Sequence, residues 1–293
     1  MRSPVARRPA ARGPYFSVLI AVHNRREMLQ RALRSVLGQS ERDFEIVLVD
    51  DGSTDGAADA ARDLFYATGT PAQIIHLPSN CGIPRARNAG LLAATGEIAA
   101  FLDSDDLWHP AYLALLRQVF EASPRPAFAF TDYLSHGPRV SGPVRQYACT
   151  ASDPIVEMVT HPFIHTMSCF SAPLKAIRAA GGFNGALSRF SDLDLYVRLL
   201  AAARGSGKRS KAGGFAYLPK VAVLKTIHLD DRDLGDYEQS WAEYREAFLD
   251  AVFAYPCLRR RRRLRPEAKA ALLEGQRRFF ANFHRDGEAA GAG

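Results

Sequence analysis

The sequence predicts an α/β fold, a mostly parallel sheet with helices on both faces, followed by a helical C-terminal extension. Three observations carry that prediction. Strand-type and helix-type segments alternate through the first hundred positions. The strand segments are continuously apolar, as strands buried on both faces are. Apolar residues occupy 47% of 293 positions and charged residues 24%, which suits a large buried core.

Phe16 to Val22 is the first strand, interrupted by His23-Asn24-Arg25. Met28, Leu29, Ala32, Leu33, Val36 and Leu37 then recur at helical spacing. Phe44 to Val49 is a second strand ending in Asp50-Asp51-Gly52-Ser53, and Ala57 to Tyr66 reads as a helix. Gln73 to Leu77 is a third strand. Pro84 to Ala94 is a helix with proline in its first turn, where a missing N–H costs little. Ile98 to Leu102 is a fourth strand ending in Asp103-Ser104-Asp105-Asp106. Beyond it, Ala127 to Tyr133 reads as a strand and Ser135 to Pro143 as a loop. Pro173 to Ala180 and Leu193 to Ala203 read as helices, and Gly205 to Gly214 as a basic, glycine-rich loop. Tyr217 to Ile227 carries strand-like runs broken by Pro219. From Asp233 onward two amphipathic helices flank the cluster Arg259 to Arg263. The expected organisation is a flexible tail over 1–14, one domain over 15–230 and a helical extension over 231–293.

Composition narrows the classes of function. No apolar run reaches the roughly 18 residues of a membrane span. The N-terminal arginines precede no apolar stretch, so that segment reads as a tail and not a secretory signal. Cys81, Cys149, Cys169 and Cys257 form no Cys-x-x-Cys pair, which argues against a zinc knot or a disulfide scaffold and for a cytoplasmic compartment. The formal charge is +7, with arginines clustered in the tail and at Arg259 to Arg263. That pattern suits a solvated helix face or peripheral contact with an anionic membrane. The cluster lacks interleaved aromatics, so nucleic acid is not expected as a partner.

Three motifs carry chemistry. Strands delivering carboxylates to the carboxyl edge of a parallel sheet put them where ligands collect. Asp103, Asp105 and Asp106 lie so close that they raise one another's pKa unless a cation intervenes. Oxygen ligands of this kind suit Mg²⁺ or Mn²⁺ shared with substrate phosphates. Helix capping before Leu107-Trp108 would explain one of these aspartates but not three. Asp51 suits hydrogen bonding to a nucleobase or ribose, while Ser53, Thr54 or Asp55 suits the cap of the next helix. Arg85 and Arg87 stand on the first turns of a helix whose positive end faces the same edge, an arrangement suited to a diphosphate.

Together these segments resemble glycosyltransferase family 2. The resemblance rests on Val18 to Arg25, Val49 to Gly56, Asn80 and Gly82 with Ala86 to Gly90, and Leu102 to Trp108, and it covers about residues 15 to 230. It implies a GT-A fold and an inverting transfer from a nucleotide sugar, most commonly UDP-linked, to a glycan, lipid-linked or other hydroxyl acceptor. It implies that Ala21, His23, Asn24, Arg25 and Asp51 hold the nucleoside and that Arg87 lies near the same pocket. It places Asp103 and Ser104 at the ribose and donor sugar, and Asp105 and His228 on the metal, with Lys225 standing in for an arginine usual nearby. The family's catalytic acid follows a Gly-Gly-Phe stretch in a Glu-Asp pair. Here Gly181-Gly182-Phe183 is followed by Ser191-Asp192, so the glutamate is absent. Asp192 is the expected base and Asp194 the reserve; His165 and Thr166 are expected near the acceptor. A haloacid-dehalogenase-like phosphatase would carry its Asp-x-Asp pair on the first strand, not after the fourth. A nucleotidyltransferase would carry a glycine-rich phosphate loop near the N-terminus. A catalytically inactive binding module is the remaining alternative.

Overall fold

The computed structural model describes residues 13–137, 141–144, 153–160, 162–205 and 214–228, together with 249, 265, 266, 269 and 270. The tail, the Arg259 to Arg263 cluster and most of the expected C-terminal helices therefore lie outside the described residues. Up to residue 228 the described residues form nine strands and seven α-helices in this order: β1 (Phe16–Val22), α1 (Arg26–Leu37), β2 (Phe44–Asp50), α2 (Ala57–Thr68), β3 (Ala72–His76), α3 (Ile83–Ala93), β4 (Ile98–Phe101), β5 (Leu107–Trp108), α4 (Tyr112–Glu121), β6 (Phe128–His136), β7 (Ser141–Val144), α5 (Pro154–Thr160), β8 (Phe170–Pro173), α6 (Leu174–Ala179), α7 (Ser191–Gly205) and β9 (Phe215–Thr226).

The strands form one sheet in the order β3-β2-β1-β4-β8-β6-β9-β5, with β7 paired to β6. β3, β2, β1 and β4 run parallel. β8 runs antiparallel to both β4 and β6, and β9 runs parallel to β6. Strand residues alternate between two cores because side chains of a strand have period two. Val18, Ile20, Ile46 and Leu48 pack with Leu29, Leu33 and Phe65 of α1 and α2. Leu19, Val47 and Phe101 pack on the other face with Leu91, Ile177 and Tyr196 of α3, α6 and α7. Leu249, within the segment expected as a separate extension, is fully buried in this second core.

Loops are tied by side chains that cap distant helices. Asp55 accepts from the backbone N–H groups of Ala57 and Arg26 at 3.0 and 2.8 Å, serving the starts of both α2 and α1. Buried Gln39 accepts from Leu113 N–H at 3.0 Å and donates to the His109 carbonyl at 2.9 Å, fixing the entry to α4.

Several expectations change. The two ends of the expected Ser135 to Pro143 loop are strand: β6 runs to His136 and pairs with β7, whose proline sits on a strand beside only one neighbour, where a missing donor is tolerated. Leu107-Trp108 is a short strand against β9, so the acidic run before it caps no helix. The helix expected from Pro173 is α6, which starts one residue later because Pro173 closes β8, a strand of four residues, too few to show a period. Tyr217 to Thr226 belongs to one strand. Leu218 pairs with Thr131 and Val221 with Asp132, so Pro219 and Lys220 fall in a bulge that needs no ladder donor.

Candidate functional site

The parallel register sets the ends of β1 and β2 side by side, Val22 opposite Asp50. The chain leaves β1 through Ala21 and Val22 into His23, Asn24 and Arg25. His23 Nδ1 donates to the Asp51 carbonyl at 2.8 Å. Asn24 adopts the left-handed region at φ 50, held by its amide oxygen accepting from Thr54 N–H at 2.8 Å and its own N–H donating to Ser53 Oγ at 3.0 Å. Asp51 is 4% exposed, and its two carboxylate oxygens accept from the N–H groups of Cys81 and Gly82 at 2.8 and 3.0 Å. Gly52 permits the approach: a Cβ there would lie 2.7 Å from Asn80 N. Asp51 thus stitches the loop after β2 to the loop before α3.

The acidic run after β4 splits three ways. Asp103 accepts from Arg87 Nη2 at 2.6 Å. Desolvation pushes its carboxyl up, but the charges of Arg87 and Lys225 outweigh that and hold it below its ordinary value. Asp105 Oδ2 lies 2.7 Å from Arg25 Nη1 and 3.0 Å from His228 Nε2. Asp106 is buried, with one oxygen accepting from Ser168 Oγ at 2.6 Å and the other from Thr226 N–H at 2.8 Å. Burial raises the Asp106 carboxyl to about 7, helped by the negative charges of Asp103 and Asp105. Burial lowers the Lys225 ammonium, yet the fields of Asp106, Asp103 and Asp105 leave it above its ordinary value. Ser104, next to Asp103 and Asp105 in sequence, is buried.

A second stitch joins α3 to the segment before α7. Asn88 donates from Nδ2 to the Phe183 carbonyl and accepts at Oδ1 from Phe183 N–H, both at 2.8 Å. Gly182 is required there, because a Cβ would lie 2.6 Å from Asn88 Oδ1. The Arg87 guanidinium stands 5.5 Å over the Phe183 ring while paired with Asp103. Ser191 is buried at the start of α7, and Asp192 is partly exposed and accepts from Leu193 N–H at 2.9 Å. Burial raises the Tyr196 hydroxyl well above its ordinary value, and the charges of Asp192, Arg87 and Asp103 all act on it. Asp194 is fully buried and paired with Arg198 at 2.6 Å, so the reserve base is committed to a structural contact.

The structure thus joins Arg25 with Asp105 and His228, and Arg87 with Asp103 and Phe183. Thr166 accepts from Lys225 Nζ at a long 3.5 Å, and His165 packs edge-on against Tyr133. Ser168 and Thr226 had no signal in the sequence; they reach Asp106 from 62 and 120 positions away. Among the described residues no three acidic, imidazole or thiol groups converge as a metal cage. Asp105 and His228 form a two-residue oxygen and nitrogen donor set. That set fits a divalent cation completing its shell with phosphate oxygens and water. No helix among the described residues is long and apolar enough to cross a membrane.

Known proteins resemble this chain in sequence and in fold. A family model described as glycosyl transferase family 2 matches residues 17–164. An uncharacterized glycosyltransferase of Nostoc sp. is 45% identical over 108 residues, 37% of this chain and 33% of the relative. The putative teichuronic acid biosynthesis glycosyltransferase TuaG of Bacillus subtilis is 37% identical over 121 residues, 41% of this chain and 47% of the relative. The matches thus span between a third and a half of these two relatives. Among solved structures, S. aureus TarS (residues 1–349) in complex with UDP-GlcNAc aligns with TM-score 0.62 at 19% identity, covering 82% of this chain and 67% of the other. Mannosyltransferase PcManGT from Pyrobaculum calidifontis, in complex with GDP-Man and Mn²⁺, aligns with TM-score 0.59 at 16% identity, covering 96% of this chain and 81% of the other. At these identities the structural likeness is one of fold.

Proposed function

The chain belongs to glycosyl transferase family 2, and from that premise we propose that it is an inverting glycosyltransferase that moves a sugar from a nucleoside-diphosphate sugar, UDP-linked by preference, to an acceptor hydroxyl. One observation carries the reading. Asp103 with Arg87, and Asp105 with His228, stand at the carboxyl edge of one sheet, and Asp192 lies in the first turn of α7, whose Tyr196 feels the charge of that aspartate and of the first pair.

Ala21, His23, Asn24 and Arg25 border the nucleoside, and Asp51 shapes that pocket through the loop it fixes. Arg87, Asp103 and Ser104 face the ribose and donor sugar. Asp105 and His228 would hold a divalent cation, Mg²⁺ or Mn²⁺, which would supply Lewis-acid charge against the departing diphosphate. Asp192 takes the proton of the acceptor hydroxyl as that oxygen attacks the anomeric carbon. The bond from that carbon to the diphosphate oxygen breaks, its electron pair leaves with the nucleoside diphosphate, and the anomeric configuration inverts. A positioned base of this kind contributes a factor of about 10²–10⁴. The acceptor class is a glycan, a lipid-linked sugar or another hydroxyl compound. Peripheral membrane contact through the basic C-terminal region would suit a lipid-linked acceptor.

A second reading rests on Ser191, which stands where the resemblance expects glutamate: an inactive module that binds nucleotide sugars. Incubation with a panel of nucleoside-diphosphate sugars and Mn²⁺, with and without acceptor sugars, separates the two. Nucleoside-diphosphate release from at least one donor is expected. Binding of a donor without any release or transfer would favour the inactive module.

A further inference from the structure

Arg25 occupies an unusual place. It is the N-cap residue of α1, where Ser, Thr, Asp or Asn is favoured and where a positive charge opposes the helix dipole. Its side chain makes no cap hydrogen bond. It turns instead towards the end of β4, 80 positions along the chain, and donates to Asp105 Oδ2 at 2.7 Å. The backbone that aims it is held by the left-handed Asn24, fastened to Ser53 and Thr54. His228 Nε2 approaches the same carboxylate oxygen at 3.0 Å. Arg25 is 44% exposed at the side chain and Asp105 only 11%, so the guanidinium reaches in from solvent over a shielded carboxylate.

We propose that Arg25 is a built-in counter-ion for Asp105, which a divalent cation must displace to reach that carboxylate. This rests on the assignment of Asp105 and His228 to the cation. One oxygen that accepts from a guanidinium cannot also present its full charge to a cation, and two positive charges at that distance repel. Arg25 therefore weakens cation binding at Asp105. Once displaced, its guanidinium is free to engage phosphate oxygens. The partly exposed pair contributes modestly, so the competition is of similar size.

Binding of Mn²⁺ alone to the full chain, followed by loss of the free-ion electron paramagnetic resonance signal, tests this. Far-UV circular dichroism checks the fold of each variant. Arg25→Gln is expected to bind Mn²⁺ about fivefold more tightly than wild type, and Arg25→Lys to fall between them. Asp105→Asn is expected to lose the site with or without Arg25. Equal or weaker binding by Arg25→Gln, with the site still abolished by Asp105→Asn, overturns the counter-ion role and leaves the cation assignment standing. Wild-type affinity in Asp105→Asn overturns both. No binding by wild type or Arg25→Gln also overturns the counter-ion role.

Discussion

Strands β3, β2, β1 and β4 are parallel neighbours joined through helices, whereas β8, β6, β9 and β5 mix parallel and antiparallel pairing and come from scattered stretches of the chain. In the first half, the functional loops are held by backbone: Asp51 by two amides, Asn24 by the neighbouring loop. The second half contributes single side chains, Ser168 and His228 among them, each reaching into the acidic run from far along the sequence. One half is a scaffold that presents carboxylates. The other adds His228 beside Asp105, Ser168 and Thr226 on Asp106, and Asp192 on α7, and that division predicts where substitutions harm chemistry and where they harm stability.

The largest effect is expected at Asp192. Asp192→Asn should lower transfer by a factor of about 10²–10⁴ while nucleotide affinity, measured by calorimetry, stays within about twofold. Retained turnover would remove this residue from the chemistry. Asp194→Ala, two positions away, should behave oppositely. It leaves the buried Arg198 without its carboxylate, so urea melts should report a loss of about 3–5 kcal/mol. If Asp194→Ala stayed stable but inactive, the roles of the two aspartates would have to be exchanged.

Metal removal comes next. EDTA should stop turnover, and added Mn²⁺ should restore it; Asp105→Asn should not recover. Full activity in chelated buffer would separate Asp105 and His228 from any cation.

Smaller effects probe the stitches. Gly182→Ala puts a Cβ 2.6 Å from Asn88 Oδ1 at φ 68 and should cost about 1–3 kcal/mol. Gly90→Ala meets only side-chain atoms, Leu19 Cδ2 at 3.0 Å and Val49 Cγ2 at 3.3 Å, and gains helix propensity of about 1 kcal/mol. It should therefore fall in melting temperature by less than Gly182→Ala. The reverse order would mean that α3 packs on the sheet more rigidly than it clasps Phe183. Arg62→Ala breaks an exposed pair with Asp59 on α2 and a long 3.4 Å contact to His76 Nε2, and should change stability by less than about 0.5 kcal/mol.

The sequence by itself determined the parallel half. Runs such as Phe16 to Val22 and Phe44 to Val49 are too apolar to face water, and each ends in polar residues that can only sit at a sheet edge. Those ends carried the motifs by which the family was legible, and Gly181-Gly182-Phe183 pointed onward to Asp192. Tertiary structure alone decided the rest. β8 and β5 are too short to carry a period, and a bulge is needed to fit Pro219 into β9. The partners of three adjacent aspartates were equally illegible. Spacing says that Asp103, Asp105 and Asp106 crowd one another, but not that Arg87, Arg25 with His228, and Ser168 with Thr226 divide them. Hydrogen bonds and ion pairs act over a few ångströms, and only folding brings residues up to 123 positions apart within that reach.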